Sequence, residues 1–137
     1  MLSRWNINEL YRVLKPHGVV VIEHIGCEDK KEFKFLFGKD KDGWRGQFIK
    51  FQREEYLQYY QNIFNKLFDS VSIQNGYWNT SYTEQGLLDL LKFTPTIRNF
   101  DLNRDESALK YAIKIFNTPN GIELTQNRIL IYAKKSS

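Results

Sequence analysis

Three residues able to do chemistry, Glu23, His24 and Cys27, close a run of β-branched residues, Val19-Val20-Val21-Ile22. The run reads as a strand, and open α/β sheets place ligands beyond the C-terminal ends of their strands. Side chains alternate along a strand, so Glu23 and His24 belong to opposite faces and only one of them lines a given pocket. His24 is the first candidate for substrate binding. A metal site built from His17, His24 and Cys27 is not expected, because structural zinc takes four ligands. The single cysteine also excludes an internal disulfide. A second group, Tyr77, Trp78 and Tyr82, precedes the stretch Thr94-Pro95-Thr96-Ile97-Arg98. Aromatic walls with a few polar groups suit a small-molecule pocket. Tyr82 and Arg98 are the candidates there, and Trp78 is expected to pack in the core. No residue stands out as catalytic. No Ser-His-Asp order and no paired-carboxylate spacing supports hydrolysis.

Charge narrows the partners. The chain has 137 residues, 20 Lys and Arg against 16 Asp and Glu, and a formal charge of +4. Between Glu28 and Lys50, 7 basic and 5 acidic residues interleave with Phe33, Phe35, Phe37, Trp44 and Phe48. Single-strand binders track phosphates with cations and stack bases on aromatic rings. The five acids break any continuous positive groove, so nucleic acid is the weaker reading and a solvated loop the stronger. With 42% apolar residues and 3 Pro, the chain can bury a core. Its longest apolar runs fall far short of the roughly 20 residues of a membrane helix. Arg4, Asn6, Asn8, Glu9 and Arg12 interrupt any apolar signal region. A single cytoplasmic domain, residues 1–137, without a membrane segment is expected.

These residues need elements to hold them. Ile7, Leu10, Tyr11 and Leu14 share one helical face behind Asn6 as N-cap, and Pro16 stops the helix at Lys15. Val19 to Ile25 is apolar on both faces, the pattern of a strand covered on both sides. Residues 27–50 show no clean period and read as an irregular insertion with a short helix around Phe33 to Phe37. Tyr56, Tyr60, Ile63, Phe64 and Leu67 mark a helix from Arg53 to Leu67, and Val71 and Ile73 a half-exposed strand. Ser81-Tyr82-Thr83-Glu84 reads as a capping box opening a helix with Leu87, Leu88, Leu90 and Leu91, ended by Thr94-Pro95. Arg104 to Phe116 is the next helix, with Ala108, Ala112, Ile115 and Phe116 inward. Ile122 to Leu124 is a short strand, and Arg128 to Lys134 closes the chain as a buried one.

The stretch Glu9-Leu10-Tyr11-Arg12-Val13-Leu14-Lys15-Pro16-His17-Gly18-Val19-Val20-Val21-Ile22 resembles one part of the class I S-adenosylmethionine-dependent methyltransferases. There it is the helix before the fifth strand, the turn, and that strand. The resemblance implies that Arg53 to Ile73 is the following helix and sixth strand. It makes Arg128 to Lys135 a seventh strand inserted antiparallel between fifth and sixth, and residues 82–116 a helical insertion on the substrate side. The implied fold is α/β, a partial Rossmann-like arrangement with a three-stranded mixed sheet and flanking helices. Two departures matter. His17 stands where the family usually has Gly, at a turn position needing φ > 0. The family's Gly-rich turn and ribose-binding acid are missing, since the eight glycines nowhere form G-x-G-x-x-G. The chain thus resembles the C-terminal, substrate-side half of a methyltransferase. It is expected to bind S-adenosylmethionine weakly or not at all and to be inactive alone on its small-molecule substrate. A homodimer, or a separate N-terminal half, is expected to cover the edge Val19 to Ile25. The alternative is a non-catalytic binding or regulatory module on the same fold, with nucleic acid as its ligand.

Overall fold

The computed structural model describes residues 6–136; Arg4, among the residues that interrupt the N-terminal run, lies outside them. The elements are α1 (Ile7–Val13), β1 (Val19–Ile25), α2 (Lys31–Lys34) running into a 3-10 turn (Phe35–Phe37), β2 (Lys39–Asp40) and β3 (Gly43–Trp44). They continue with α3 (Arg53–Asn65), β4 (Ser70–Tyr82), α4 (Glu84–Phe93), α5 (Leu102–Phe116), β5 (Asn117–Thr118) and β6 (Gly121–Lys134). This is an α/β fold. The main sheet has the order β1-β6-β4, with β5 added to β6. β6 runs antiparallel to β1, from Val19 opposite Lys134 to Ile25 opposite Arg128, and antiparallel to β5. The last strand therefore lies between β1 and β4, the expected order, while antiparallel pairing dominates in place of the expected mixed sheet.

Two compact units divide the chain. Among the described residues one comprises 6–26, 52–76 and 128–136, and the other 27–51 and 77–127. In the first, the Asn6 side chain caps α1 by accepting from the amides of Asn8 and Glu9. The following turn closes with Gly18 N–H donating to Lys15 O at 2.8 Å, and His17 takes φ 64°. A residue with a β-carbon thus occupies the left-handed region where the turn would favour Gly. α3 buries Tyr56, Tyr60 and Phe64, one side chain per turn. β6 supplies Ile129, Ile131 and Ala133, all fully buried. Burial along β6 alternates through Ile122, Leu124 and Gln126 and then shifts phase by one, continuing at Asn127.

β1 departs from expectation. Val19 and Val21 are 54% and 53% exposed, so among the described residues one face of this strand is open. Its apolarity on both faces reflected composition, and only the Val20, Ile22 and His24 face turns inward.

The second unit has its own core, in which Phe33, Phe37, Leu87, Leu91, Ile97, Leu109, Ala112, Ile122 and Leu124 cluster. Residues 27–50 are far less irregular than expected, folding as α2, the 3-10 turn and the β2–β3 hairpin. β4 runs on to Tyr82, so α4 is capped by Thr83, whose hydroxyl accepts from Gly86 N–H at 2.9 Å; Ser81 is not the cap. α5 starts earlier, behind Asp101, and turns Leu109 and Ala112 inward while Ile115 is exposed. Trp78, expected in the core, is 48% exposed on β4.

The strain at His17 is open to measurement. The left-handed conformation costs a residue with a β-carbon about 1–2 kcal/mol, and glycine's extra unfolded entropy returns about half of that. His17→Gly should therefore raise stability by about 0.5–1 kcal/mol in urea unfolding, whereas His17→Val should lower it.

Candidate functional site

In the second unit a cavity of about 730 Å³ opens between residues 42–51 and residues 91–100. Its size fits a small molecule. Trp44, Phe48, Phe51 and Phe100 supply aromatic surface, Leu91 and Ile97 a buried apolar floor. Arg98, Lys50 and Lys92 bring cations to the rim.

One side chain fixes both walls. Arg45, 6% exposed, uses all five of its N–H groups. Nη1 and Nη2 donate to the two carboxylate oxygens of Asp105 at 2.8 and 2.7 Å. Nη1 also donates to Phe37 O, Nη2 to Asn99 O and Nε to Arg98 O, at 3.0–3.1 Å. The backbone repeats the link, since Arg98 N–H donates to Arg45 O and Gln47 N–H to Thr96 O around a Gly46–Ile97 bridge. Behind that bridge lies Lys34, fully buried, whose Nζ donates to Gln47 O at 2.8 Å. A β-carbon on Gly46 would come within 2.7 Å of Lys34 Cβ, so only glycine allows the two chains this close. Asp105 is held well below the usual carboxylate range by its bonds to the Arg45 guanidinium, and the Arg45 pKa is raised by the same pairing.

Two residues with left-handed backbones line the cavity, Phe48 at φ 61° and Asn99 at φ 55°. The carbonyl of Asn99 accepts from both Arg45 and Arg104, which holds that conformation in place. Arg98 donates from Nη2 to Asp40 and to Gly43 O, but its Nε is buried without a hydrogen-bond partner.

Of the three residues singled out in the sequence, Arg98 alone lines this cavity. Tyr82 belongs to the same unit and packs against its core, where its hydroxyl accepts from Gln126 Nε2 at 3.2 Å. Gln126 in turn accepts from the buried Lys30, which also pairs with Asp29 at 2.8 Å. His24 belongs to the first unit, 8% exposed, stacked with Tyr56 and tilted against Tyr60. Burial first, with the positive charge of Arg128 adding to it, lowers its pKa from 6.5 to about 4, so it is a neutral ring at physiological pH. Among the described residues, no three His, Cys, Asp or Glu side chains converge as metal ligands, and no helix is long and apolar enough to cross a membrane. No protein-family model matches the chain, and a search of curated proteins finds no match.

Breaking a buried ion pair leaves one charge uncompensated and costs about 3–5 kcal/mol. Asp105→Asn should lower stability by that order in urea unfolding, and Arg45→Lys should also be costly, because an ammonium cannot reproduce the planar fork. The pH dependence has two windows. His24 has a depressed folded pKa, so its contribution is complete above about 6.5 and lost as pH falls toward about 4. Asp105, also depressed, contributes above the ordinary carboxylate value and loses that contribution below it. Melting temperatures measured across this range should fall in both windows, and His24→Phe should flatten only the upper one.

Proposed function

We propose that this chain is the C-terminal, substrate-side portion of a class I S-adenosylmethionine-dependent methyltransferase acting on a small molecule in the cytoplasm. What carries the reading is the strand order: after the Leu14-Lys15-Pro16-His17-Gly18 turn, β1 is followed in the sheet by the chain's last strand and then by β4. A partial Rossmann-like sheet with its final strand inserted has this order. The cavity of the second unit, formed partly by residues of the 82–116 insertion, supports a substrate-side role.

The residues present do not fit the methyl donor. Among the described residues two strands lead through short connections into helices, β1 into α2 and β4 into α4. The first connection holds one glycine, Gly26, beside Glu28 and Asp29, and the second is Thr83 alone. Neither offers a glycine-rich cradle. This chain's contribution is to hold and orient an acceptor, a role that proximity and orientation make large in group transfer. A non-catalytic ligand-binding module is the second reading, favoured by the same missing cradle. Nucleic acid is disfavoured for that module because Lys30, Lys34 and Arg45 of the basic segment are buried and bonded internally.

β1 lies at one end of the sheet order, and Val13, Val19 and Val21 are exposed. Open edges of this kind recruit further strands. A second copy or a separate N-terminal half is the proposed cover. Sedimentation at micromolar concentration should show an assembly, and Val21→Lys should dissociate it; a stable monomer that tolerates Val21→Lys would refute the edge argument. The methyltransferase reading is tested by joining the chain to the sequence encoded immediately upstream of it. Calorimetry should give micromolar affinity for S-adenosylmethionine in the joined protein and at best millimolar affinity in the chain alone. Absence of binding by the joined protein would overturn the reading, and tight binding by the chain alone would overturn the claim that the donor cradle is missing.

A further inference from the structure

We propose that the cavity of the second unit takes a small amphiphile with an apolar, ring-bearing body and one anionic end, the body enclosed by the aromatic walls and the anion bound at the mouth by Lys50 and Lys92. The polarity of the lining is graded in the order such a ligand needs. Leu91 and Ile97, each 2% exposed, form the floor. Trp44, Phe48 and Phe100, half-buried, form the walls, and aromatic groups pack against such rings in offset or edge-to-face contact. Phe51, Lys50 and Lys92 are exposed and belong to the same lining, so the two cations stand where the cavity meets solvent.

The sign of the polar end follows from which cations are already spent. Arg45 is matched by Asp105. Arg98 is matched by Asp40 and donates to Gly43 O from the same nitrogen, while its Nε is wholly buried, so this guanidinium is part of the wall and not a ligand contact. Lys50 and Lys92 differ. Among the described residues neither pairs with a carboxylate, and the Lys50 ammonium sits 5.4 Å from the centre of the Phe51 ring, at the wall itself. Against these two the lining offers one acid, Asp42, which leaves one positive charge in excess. An anion at the mouth gains two ion pairs there, and a cation is repelled. Both lysines are solvated, so each pair is weak, and the apolar body supplies most of the affinity. The same grading sets the orientation, ring inward and anion outward. Because the bonds of Arg45 link the segments on both sides, the cavity stands formed before a ligand arrives, and binding costs little ordering. The inference rests on the substrate-side reading only in taking this ligand to be the acceptor; binding requires neither S-adenosylmethionine nor methyl transfer.

The test uses the full chain and four probes. Three share one body, 4-phenylbutyrate, 4-phenylbutan-1-ol and 4-phenylbutylammonium; octanoate keeps the anionic end and lacks the ring. In calorimetric titration without S-adenosylmethionine, 4-phenylbutyrate should bind with a dissociation constant below about 1 mM. It should bind at least about fivefold more tightly than the alcohol, which is what two solvated ion pairs give together. The ammonium should bind more weakly than either, and octanoate severalfold more weakly than 4-phenylbutyrate. Lys50→Gln combined with Lys92→Gln changes only exposed side chains, and should abolish the preference for acid over alcohol while leaving the alcohol's affinity and the melting temperature unchanged. Salt at about 1 M, which screens charges beyond about 3 Å, should bring the acid within about twofold of the alcohol in the unaltered protein, a measurement that needs no substitution. Equal binding of acid and alcohol, a preference that survives either the double substitution or the salt, octanoate binding as tightly as 4-phenylbutyrate, or no binding of any probe would each overturn the proposal. Failure of the upstream-joined protein to bind S-adenosylmethionine would remove the methyltransferase reading and leave this result standing.

Discussion

The second unit depends above all on the buried Arg45–Asp105 ion pair. Arg45 and Asp105 stand 60 residues apart, in the β2–β3 segment and near the start of α5, and both are almost wholly removed from water. Two bare charges in that position would be ruinous, yet the guanidinium has five donors and finds five acceptors, three of them backbone carbonyls. Asp105 also accepts from the Asp101 amide at 3.0 Å, which ties the start of α5 into the same network. A pair satisfied this fully offsets its desolvation; one left partly satisfied would not. Because its acceptors lie in the chain segments forming both sides of the cavity, the pair sets how far those segments stand apart. Lys34 reinforces it through its bond to the Gln47 carbonyl and the close approach of Gly46.

The first unit is built on another principle. Its packing is aromatic and largely neutral, with Tyr56, Tyr60, Phe64 and Phe68 buried and the His24 ring among them. Tyr56 keeps its hydroxyl satisfied by donating to Ile25 O at 2.7 Å. A neutral imidazole fits this setting and an imidazolium does not. His24 is therefore better explained as a packed ring than as a substrate contact, and no functional role needs to be assigned to it. The domain's margin over unfolding, about 5–15 kcal/mol for ordinary proteins, is small enough that either kind of core decides whether the fold persists.

Elements with a local cause were legible from the residues. Asn6 caps α1, Pro16 ends its reach, and the i, i+4, i+8 aromatic stripe of α3 appears where the periodicity put it. The strand order also followed from the resemblance of one turn and strand. The site was harder to see. Arg98 was identified among the lining residues, but Arg45, Lys34 and Lys30 looked like a solvated charged segment. Burial of a cation depends on a partner that sequence spacing does not reveal, here 60 residues away for Arg45 and 96 for the Lys30–Gln126 bond. The cap of α4 was misplaced for a simpler reason. Ser81 and Thr83 are both good caps, and the choice between them was made by how far β4 extends. Ile115 sits on the exposed side of α5 because the inward positions fell to Leu109 and Ala112.

The pairing of β1 with β6 carries a consequence in time. Every residue of β1 stands in the β1–β6 ladder opposite a residue more than 100 positions later in the chain. Loop closure over that distance precedes any reward from the contacts it makes, which slows folding of such topologies. During synthesis, Val19 to Ile25 leaves the ribosome long before Arg128 to Lys134, its partner, is made. For that interval a β-branched strand waits with both edges unpaired, the form of chain most prone to capture by other molecules. The Arg45–Asp105 clasp spans a shorter separation, 60 residues, so its partner is made sooner. Any dependence of this protein on a chaperone should trace to that strand.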